Sequence, residues 1–332
     1  MPRFLLSLRV EKTVREKMNS SQVDVLIVGA GPAGLAAAIE LRKSGVKKVR
    51  VVEREQVAGG VPRHSFHPGY GIRDLKRFMS GPKYAKYYVE QAIKAGVELS
   101  TSTTAIEWAD QKKIKLTSPS GIEEVAAKAI ILATGARERG RAARKVAGKR
   151  PAGIYTTGSL QQATYLEQLY IGKRAVIIGC EHVSLSAILT LRHAGVKTVA
   201  IICEEAKHKT VFMFPTLMSI IFRFKLHLAT KVIEIIGEQR VSEVLVEKSG
   251  KRWAIPADTI IFTGDWIPDH ELARRAHFPV DLQYKSPITD RDGLIPGSNV
   301  YVIGNLKLPI KGADKCAIEG KKLARKIANK LR

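Results

Sequence analysis

Val23-Asp24-Val25-Leu26-Ile27-Val28 runs directly into Gly29-Ala30-Gly31-Pro32-Ala33-Gly34. The first six residues are a short apolar run rich in β-branched side chains, the composition of a strand buried on both faces. The next six fit the spacing G-x-G-x-x-G, and the alanine-rich stretch Leu35–Leu41 continues as a helix that Gly45 stops. Each glycine meets a different demand. Gly29 permits the tight turn out of the strand, Gly31 presents bare backbone to a pyrophosphate, and Gly34 lets the helix lie close on the sheet. Pro32 suits the first helical turn, where its missing N–H costs nothing. With Ala33 it opens a helix whose orphan N–H groups and positive dipole end favour phosphate. Lys48–Val52 forms a second strand ending in Glu53, at about the 20-residue distance where a carboxylate can accept hydrogen bonds from ribose hydroxyls. A plain strand-to-helix turn would leave Gly31 and Glu53 unexplained together. Dinucleotide binding is therefore expected here.

The same pattern recurs further on. Arg174–Ile178 reads as a strand, Ser184–His193 as a helix stopped by Gly195, and Thr198–Cys203 as a second strand. Between the two units, Tyr84–Ala95 looks helical and Ala129–Ala133 reads as a strand running into Thr134-Gly135. The basic segment Arg137–Arg150 has the composition of a linker. Thr259–Phe262 repeats the strand-into-Thr-Gly theme, and Val300–Ile303 is a strand ending at Gly304-Asn305. Ala317–Leu331 is amphipathic, with Leu323, Ile327 and Leu331 on one face. The fold class expected is α/β, with two Rossmann-like three-layer domains and the second inserted in the first. The boundaries are a basic extension over 1–20, a first domain over 21–150 and 285–332, and a second over 151–284.

The second turn, Gly179-Cys180-Glu181-His182-Val183-Ser184, keeps only its first glycine. Glu181 stands where bare backbone should meet pyrophosphate, and Ser184 replaces the helix-packing glycine. A carboxylate roughly 4 Å from a phosphate costs about 4 kcal/mol at an effective dielectric near 20. His182 or the Arg137–Arg150 cluster could offset part of that. NAD(P) is expected to bind this second nucleotide site poorly or not at all. Glu204, with Glu205, still ends the second strand and keeps another adenine nucleotide open.

Length and composition bound the rest. The chain has 332 residues, 45% of them hydrophobic, enough for two domains with real cores. The formal charge of +24 has no helix-turn-helix, zinc-finger or RNA-binding signature beside it, so nucleic acid is not an expected partner. Cys180, Cys203 and Cys316 are too few and scattered for a disulfide framework, and no Cys-x-x-Cys offers a redox dithiol or four-cysteine cluster. No metal site is expected, and the simple reading is a reducing, cytoplasmic compartment. Thr210–Phe222 is uncharged, and its Phe212, Met213, Phe214, Met218 and Phe222 could face a membrane surface or a partner protein. Core packing is the preferred reading.

On Gly29–Gly34, Glu53, Gly59-Gly60, Ala133-Thr134-Gly135, Gly264-Asp265-Trp266-Ile267-Pro268 and Tyr301–Asn305, the sequence resembles the flavoproteins with two dinucleotide-binding domains, the group that includes thioredoxin reductase and glutathione reductase. The resemblance covers nearly all of the chain from Val23. It implies FAD in the first domain, with the return of the chain at Ala133, Thr134 and Gly135 near it. It also implies that Gly304 approaches the ribitol and that the last helix, near Ala313, aims its N-terminus at the flavin. Arg54, Gly60 and Ala105 join the FAD set. Asn305 departs from the aspartate usual there, and the missing Cys-x-x-Cys removes disulfide reduction as the chemistry. Gly59–His64 and Glu181–Ser184 are similar to a branch of flavoprotein subunits of amine and proline dehydrogenases, opine oxidases and hydrogen cyanide synthase.

Catalytic candidates lie just beyond Gly60. His64 and His67 carry imidazoles, the side chains most used for proton transfer, and could act as general acid or base. Arg63 could steady a substrate carboxylate or a reduced flavin anion. The leading expectation is an FAD-dependent dehydrogenase or electron-relay subunit with a small amine, amino acid or hydroxy acid as substrate. Electrons would pass to a quinone, to oxygen or to the cofactor of a partner, such as a second flavoprotein or an iron–sulfur subunit. The alternatives are a free-standing NAD(P)H-dependent reductase and a non-catalytic FAD-bearing assembly subunit.

Overall fold

The computed structural model describes residues 19–110, 112–207 and 214–332. Residues 1–18 of the basic extension, with Phe212 and Met213, lie outside the described residues. The chain forms two compact units, one of residues 19–60, 87–135 and 268–332, the other of residues 61–86 and 136–267.

The first unit is built on β1 (Asn19–Val28), α1 (Pro32–Lys43) and β2 (Val49–Val52). β3 (Glu98–Ser100), β4 (Thr104–Asp110), β5 (Lys113–Ser118) and β6 (Gly121–Leu132) complete most of its sheet. The strand order is β3-β2-β1-β6-β5-β4, and Val300–Val302 pairs in parallel with Ile130–Leu132 at the end of β6. β1 is parallel to both neighbours, with Val28 opposite Val52 and Leu132. The strand centres are buried, as a parallel sheet covered by helices requires. The sequence reading starts β1 at Val23 because Asn19–Gln22 are polar. Their backbone nevertheless continues the ladder onto Glu123–Ala126 of the long β6. The antiparallel β4–β5–β6 meander has no counterpart in that reading, because its exposed strands alternate only weakly. The helix Ala313–Leu331 buries Leu323 and Ile327.

The second unit has a five-stranded sheet of β7 (Ile154–Thr156), β8 (Arg174–Ile178), β9 (Lys197–Ile202), β10 (Lys225–His227) and β14 (Thr259–Phe262). Its order is β7-β14-β8-β9-β10, all parallel. The helix α2 (His182–His193) joins β8 to β9, and α3 (Phe214–Phe222) precedes β10. An antiparallel sheet of β11 (Lys231–Gly237), β12 (Val241–Lys248) and β13 (Lys251–Pro256) packs its Val232, Ile235, Val244 and Val246 against Val176, Ile202 and Phe262. Met218 and Phe222 of α3 pack on a core containing Ile177, Ile201 and Phe224, whereas Leu217, Ile220 and Ile221 are exposed.

The exchange points between units follow Gly135 and precede Pro268, rather than lying at 150 and 285, and residues 61–86 belong to the second unit. The physical reason is that Arg137–Arg150 is no free linker. Ala136–Glu138 pairs with Trp266–Pro268 as a two-stranded sheet. Arg141 donates to the carbonyls of Val146, Ala147 and Lys149. Arg144 donates to those of Arg139, Thr263 and Gly264. Planar guanidinium forks of this kind hold a segment through several carbonyls at once.

Candidate functional site

At the tips of β1 and β2, three glycines sit under different constraints. Gly29 has φ +106°, and a Cβ there would stand 2.5 Å from the Ala133 carbonyl oxygen. A Cβ on Gly34 would stand 2.1 Å from the Gly29 carbonyl oxygen. The fold itself demands both glycines. Gly31 is different, because its φ is −81° and a Cβ would meet no atom within 4 Å. Among the described residues nothing requires glycine there, and the open space above it fits the pyrophosphate of a bound nucleotide. Gly60 closes one side of the cradle, since its own Cβ would come within 2.9 Å of Gly31 Cα. Gly59 N–H donates to the Ala30 carbonyl at 2.9 Å.

Glu53 joins the turn to the strand tip. Its Oε2 accepts from Ala30 N–H at 2.9 Å and its Oε1 from Glu55 N–H at 3.0 Å. The return of the chain is pinned by a residue the sequence reading missed, Asp269. Its carbonyl accepts from Thr134 Oγ1 at 2.7 Å, its N–H donates to the Gly135 carbonyl at 2.9 Å, and its carboxylate pairs with Arg54 at 3.3 Å. Ala105, next on from Ser102 and Thr103 at the Glu53 tip, packs on the core. At the far strand, Asn305 uses both ends of its amide on one backbone residue. Nδ2 donates to the Lys311 carbonyl at 3.2 Å, and Oδ1 accepts from Lys311 N–H at 2.8 Å. An aspartate could not make the first bond, which accounts for asparagine at this place. Glu319, also missed, accepts from Gly304 N–H at 3.3 Å and from Lys311 Nζ at 2.7 Å, just inside the helix that Ala313 opens. Burial pushes the neighbouring Cys316 thiol up to about 12.

The second unit repeats this backbone wiring. Gly179 N–H donates to the Ile202 carbonyl at 2.9 Å, as Gly29 does to Val52 at 2.8 Å. Thr263 N–H donates to Ile178, as Ala133 does to Val28. At the next tip, Cys203 donates to the His227 carbonyl and accepts from Thr230 N–H, as Glu53 donates to Ser100 and accepts from Thr103. Cys203, not Glu204, therefore stands in the place of Glu53, and Glu204 is one residue beyond it. Glu181 stands in the place of Gly31, with the same extended backbone at the helix N-cap.

The side chains differ. The Glu181 carboxylate lies in the mouth of the turn, accepting from Thr263 Oγ1 at 3.1 Å and filling the space beside Gly264, where a Cβ would meet it at 2.4 Å. Ser184 bonds the Gly179 carbonyl through Oγ at 3.1 Å, replacing the close glycine packing. His182 is exposed at the first turn of α2. Glu138 faces the Gly158 N–H at 3.0 Å, and burial raises its pKa.

Cys180 and Cys203 are joined by a disulfide, against the expectation of unpaired cysteines, so cysteine usage no longer argues for a reducing compartment. With Glu205 they are also the one group of metal-capable side chains gathered among the described residues.

His64, His67 and Arg63 all lie in the second unit. His64 is 4% exposed, its Nδ1 is 3.2 Å from Gln161 Oε1, and Gln161 in turn donates to Ser186 Oγ at 2.6 Å. It belongs to a buried polar chain. His67 and Arg63 are partly exposed, with His67 Nδ1 2.8 Å from the Pro68 carbonyl oxygen.

The family model for pyridine nucleotide-disulphide oxidoreductases matches residues 23–320. An opine oxidase subunit of Agrobacterium tumefaciens (strain Ach5) is 25% identical over 330 residues, covering 90% of this chain and 64% of that one. The chain thus spans about two thirds of the length of that curated relative. Thioredoxin reductase from T. acidophilum superposes with a TM-score of 0.77 at 21% identity, covering 93% of this chain and 98% of that one. L-proline dehydrogenase from P. horikoshii superposes with a TM-score of 0.70 at 18% identity, covering 95% and 57%. These likenesses carry the fold.

Proposed function

This chain belongs to the pyridine nucleotide-disulphide oxidoreductase family, whose members are FAD-dependent oxidoreductases, and on that premise we propose that it is a dehydrogenase or electron-relay subunit of a multi-subunit enzyme. The observation that carries this reading is the contrast between the cradles. Gly31 leaves space over the first turn, whereas the Glu181 carboxylate lies in the equivalent place in the second. Electrons accordingly enter from a small amine, amino acid or hydroxy acid rather than from NAD(P)H. They leave to a quinone, to oxygen or to a cofactor held by a partner.

The similarity to a protein named as one subunit of an oxidase supports such a partner, a second flavoprotein or an iron–sulfur protein. The exposed Leu217, Ile220 and Ile221 of α3, beside exposed Arg223 and Lys225, are the surface we assign to it. Among the described residues no helix is long and apolar enough to cross a membrane.

FAD, when bound, supplies the hydride acceptor. The chain's own part would be to hold the diphosphate at Gly29–Gly34, with Gly304 and Asn305 of the same unit as further contacts for the cofactor. Within the second unit, His67 and Arg63 are the residues we assign to proton handling and to a carboxylate, and buried His64, bonded to Gln161, holds their segment.

Anaerobic reduction of the bound flavin by NADH, NADPH and a panel of amino acids and amines tests the proposal. Fast bleaching by a panel member with slow bleaching by either nicotinamide supports it. Rapid bleaching by micromolar NADH or NADPH overturns it in favour of a reductase, and no fast reduction by any donor favours a non-catalytic assembly role.

A further inference from the structure

In the first unit, the link between the glycine turn and the β2 tip is a hydrogen bond from Ala30 N–H to the Glu53 carboxylate. The shared wiring puts Cys180 in the place of Ala30 and Cys203 in the place of Glu53. In the second unit the same two points are joined by sulfur, with Cα atoms 5.7 Å apart, a separation that a disulfide can span. The carboxylate that would have read a ribose has been exchanged for half of a cystine.

Two further features surround the pair. Glu205 Oε2 lies 3.8 Å from Cys203 Sγ, within reach of an S–H donor. The sulfurs are buried, with Cys180 4% and Cys203 1% exposed, but Glu204–Lys207 next to them is exposed along its length. One surface turn separates the pair from solvent.

We propose that Cys180 and Cys203 are a reversible thiol–disulfide couple built into the second nucleotide cradle, with small thiols and dithiols as its redox partners. In the reducing direction an external thiolate attacks one sulfur, the Cys180–Cys203 bond breaks, and the departing thiolate takes up a proton. A second external thiol then resolves the mixed disulfide. The net change is one protein disulfide and two external thiols converted to two protein thiols and one external disulfide. Cys203 S–H then donates to Glu205. Opening the bond removes the covalent tie between the Gly179–Ser184 turn and the tip of β9, leaving the Gly179 N–H bond to Ile202 and the Glu181 bond to Thr263. The couple is independent of which donor reduces the flavin.

The test uses the full-length, FAD-loaded chain purified without reductant. Peptide mapping after alkylation in denaturant is expected to find Cys180 linked to Cys203 and Cys316 free. Treatment of the native protein with dithiothreitol should release both thiols, and oxidised glutathione should restore the link. Hydrogen exchange at residues 179–184 should quicken on reduction while residues 29–34 stay unchanged. Three free thiols in the air-exposed protein would overturn the proposal, as would stoichiometric zinc on unlinked cysteines. A bond that dithiothreitol opens only after denaturation, or exchange at 179–184 that ignores reduction, would overturn it equally.

Discussion

Replacing Gly31 with alanine separates what the fold needs from what the cofactor needs. The backbone at 31 has φ −81°, and the added methyl meets no atom of the described residues within 4 Å. Folding should therefore lose no more than the helix N-cap preference for glycine over alanine, about 1 kcal/mol or less. The methyl does enter the space from which a diphosphate reaches the first N–H groups of α1. Losing one hydrogen bond to a charged phosphate costs about 1.5–3 kcal/mol, or roughly 10- to 150-fold in affinity. The control is Gly34→Ala, where the methyl is forced to 2.1 Å from the Gly29 carbonyl oxygen. That overpacking should cost about 1–3 kcal/mol of stability whether or not FAD is present. The assay is a flavin-fluorescence titration of the apoprotein paired with thermal melts of each variant. A Gly31→Ala protein that binds FAD as tightly as the parent, or that loses as much stability as Gly34→Ala, would refute the reasoning.

Glu181→Gly should raise NADH affinity, by up to about a thousandfold if the carboxylate stands roughly 4 Å from a phosphate at an effective dielectric near 20; an unchanged dissociation constant in calorimetry would show that Glu181 is not the barrier. Asn305→Asp removes the donor to the Lys311 carbonyl and should lower stability by about 1–3 kcal/mol; an unshifted melt would contradict that account of the loop. The Cys316 thiol is pushed from 9.0 to about 12, chiefly by burial, so the folded chain keeps a proton that the unfolded chain sheds. Its contribution to stability is present below pH 9 and is lost as pH rises toward 12, at no more than about 1.4 kcal/mol per pH unit. Denaturant midpoints measured from pH 8 to 11 should fall more steeply for the parent than for Cys316→Ala, and parallel curves would count against it. His67→Ala should cut turnover with the reducing substrate while leaving FAD content unchanged, and unaltered turnover would retire His67 from the chemistry.

The β1–α1–β2 unit was legible because its signals are local. An apolar run, glycines at fixed spacing and an acid at the strand end all lie within residues 23–53. The weakness of the second turn was legible for the same reason, since Glu181 and Ser184 occupy motif positions. Contacts made between distant segments were not legible. The burial of His64 depends on Gln161, the fastening of Arg144 on Thr263 and Gly264, and the grip on Thr134 on Asp269. The Cys180–Cys203 pair lies between these extremes. The strand–helix–strand reading already put one cysteine just after the first strand and the other at the tip of the second. A parallel crossover brings those two tips together. Counting cysteines without placing them on that crossover hid the pair.

The two glycine turns hang on main-chain bonds that are indifferent to what they carry. A scaffold that survives such different tenants can be refurnished one side chain at a time. Exchanging Cys180, Glu181 and Cys203 would change only side chains, and the main-chain rungs beneath them would keep their partners.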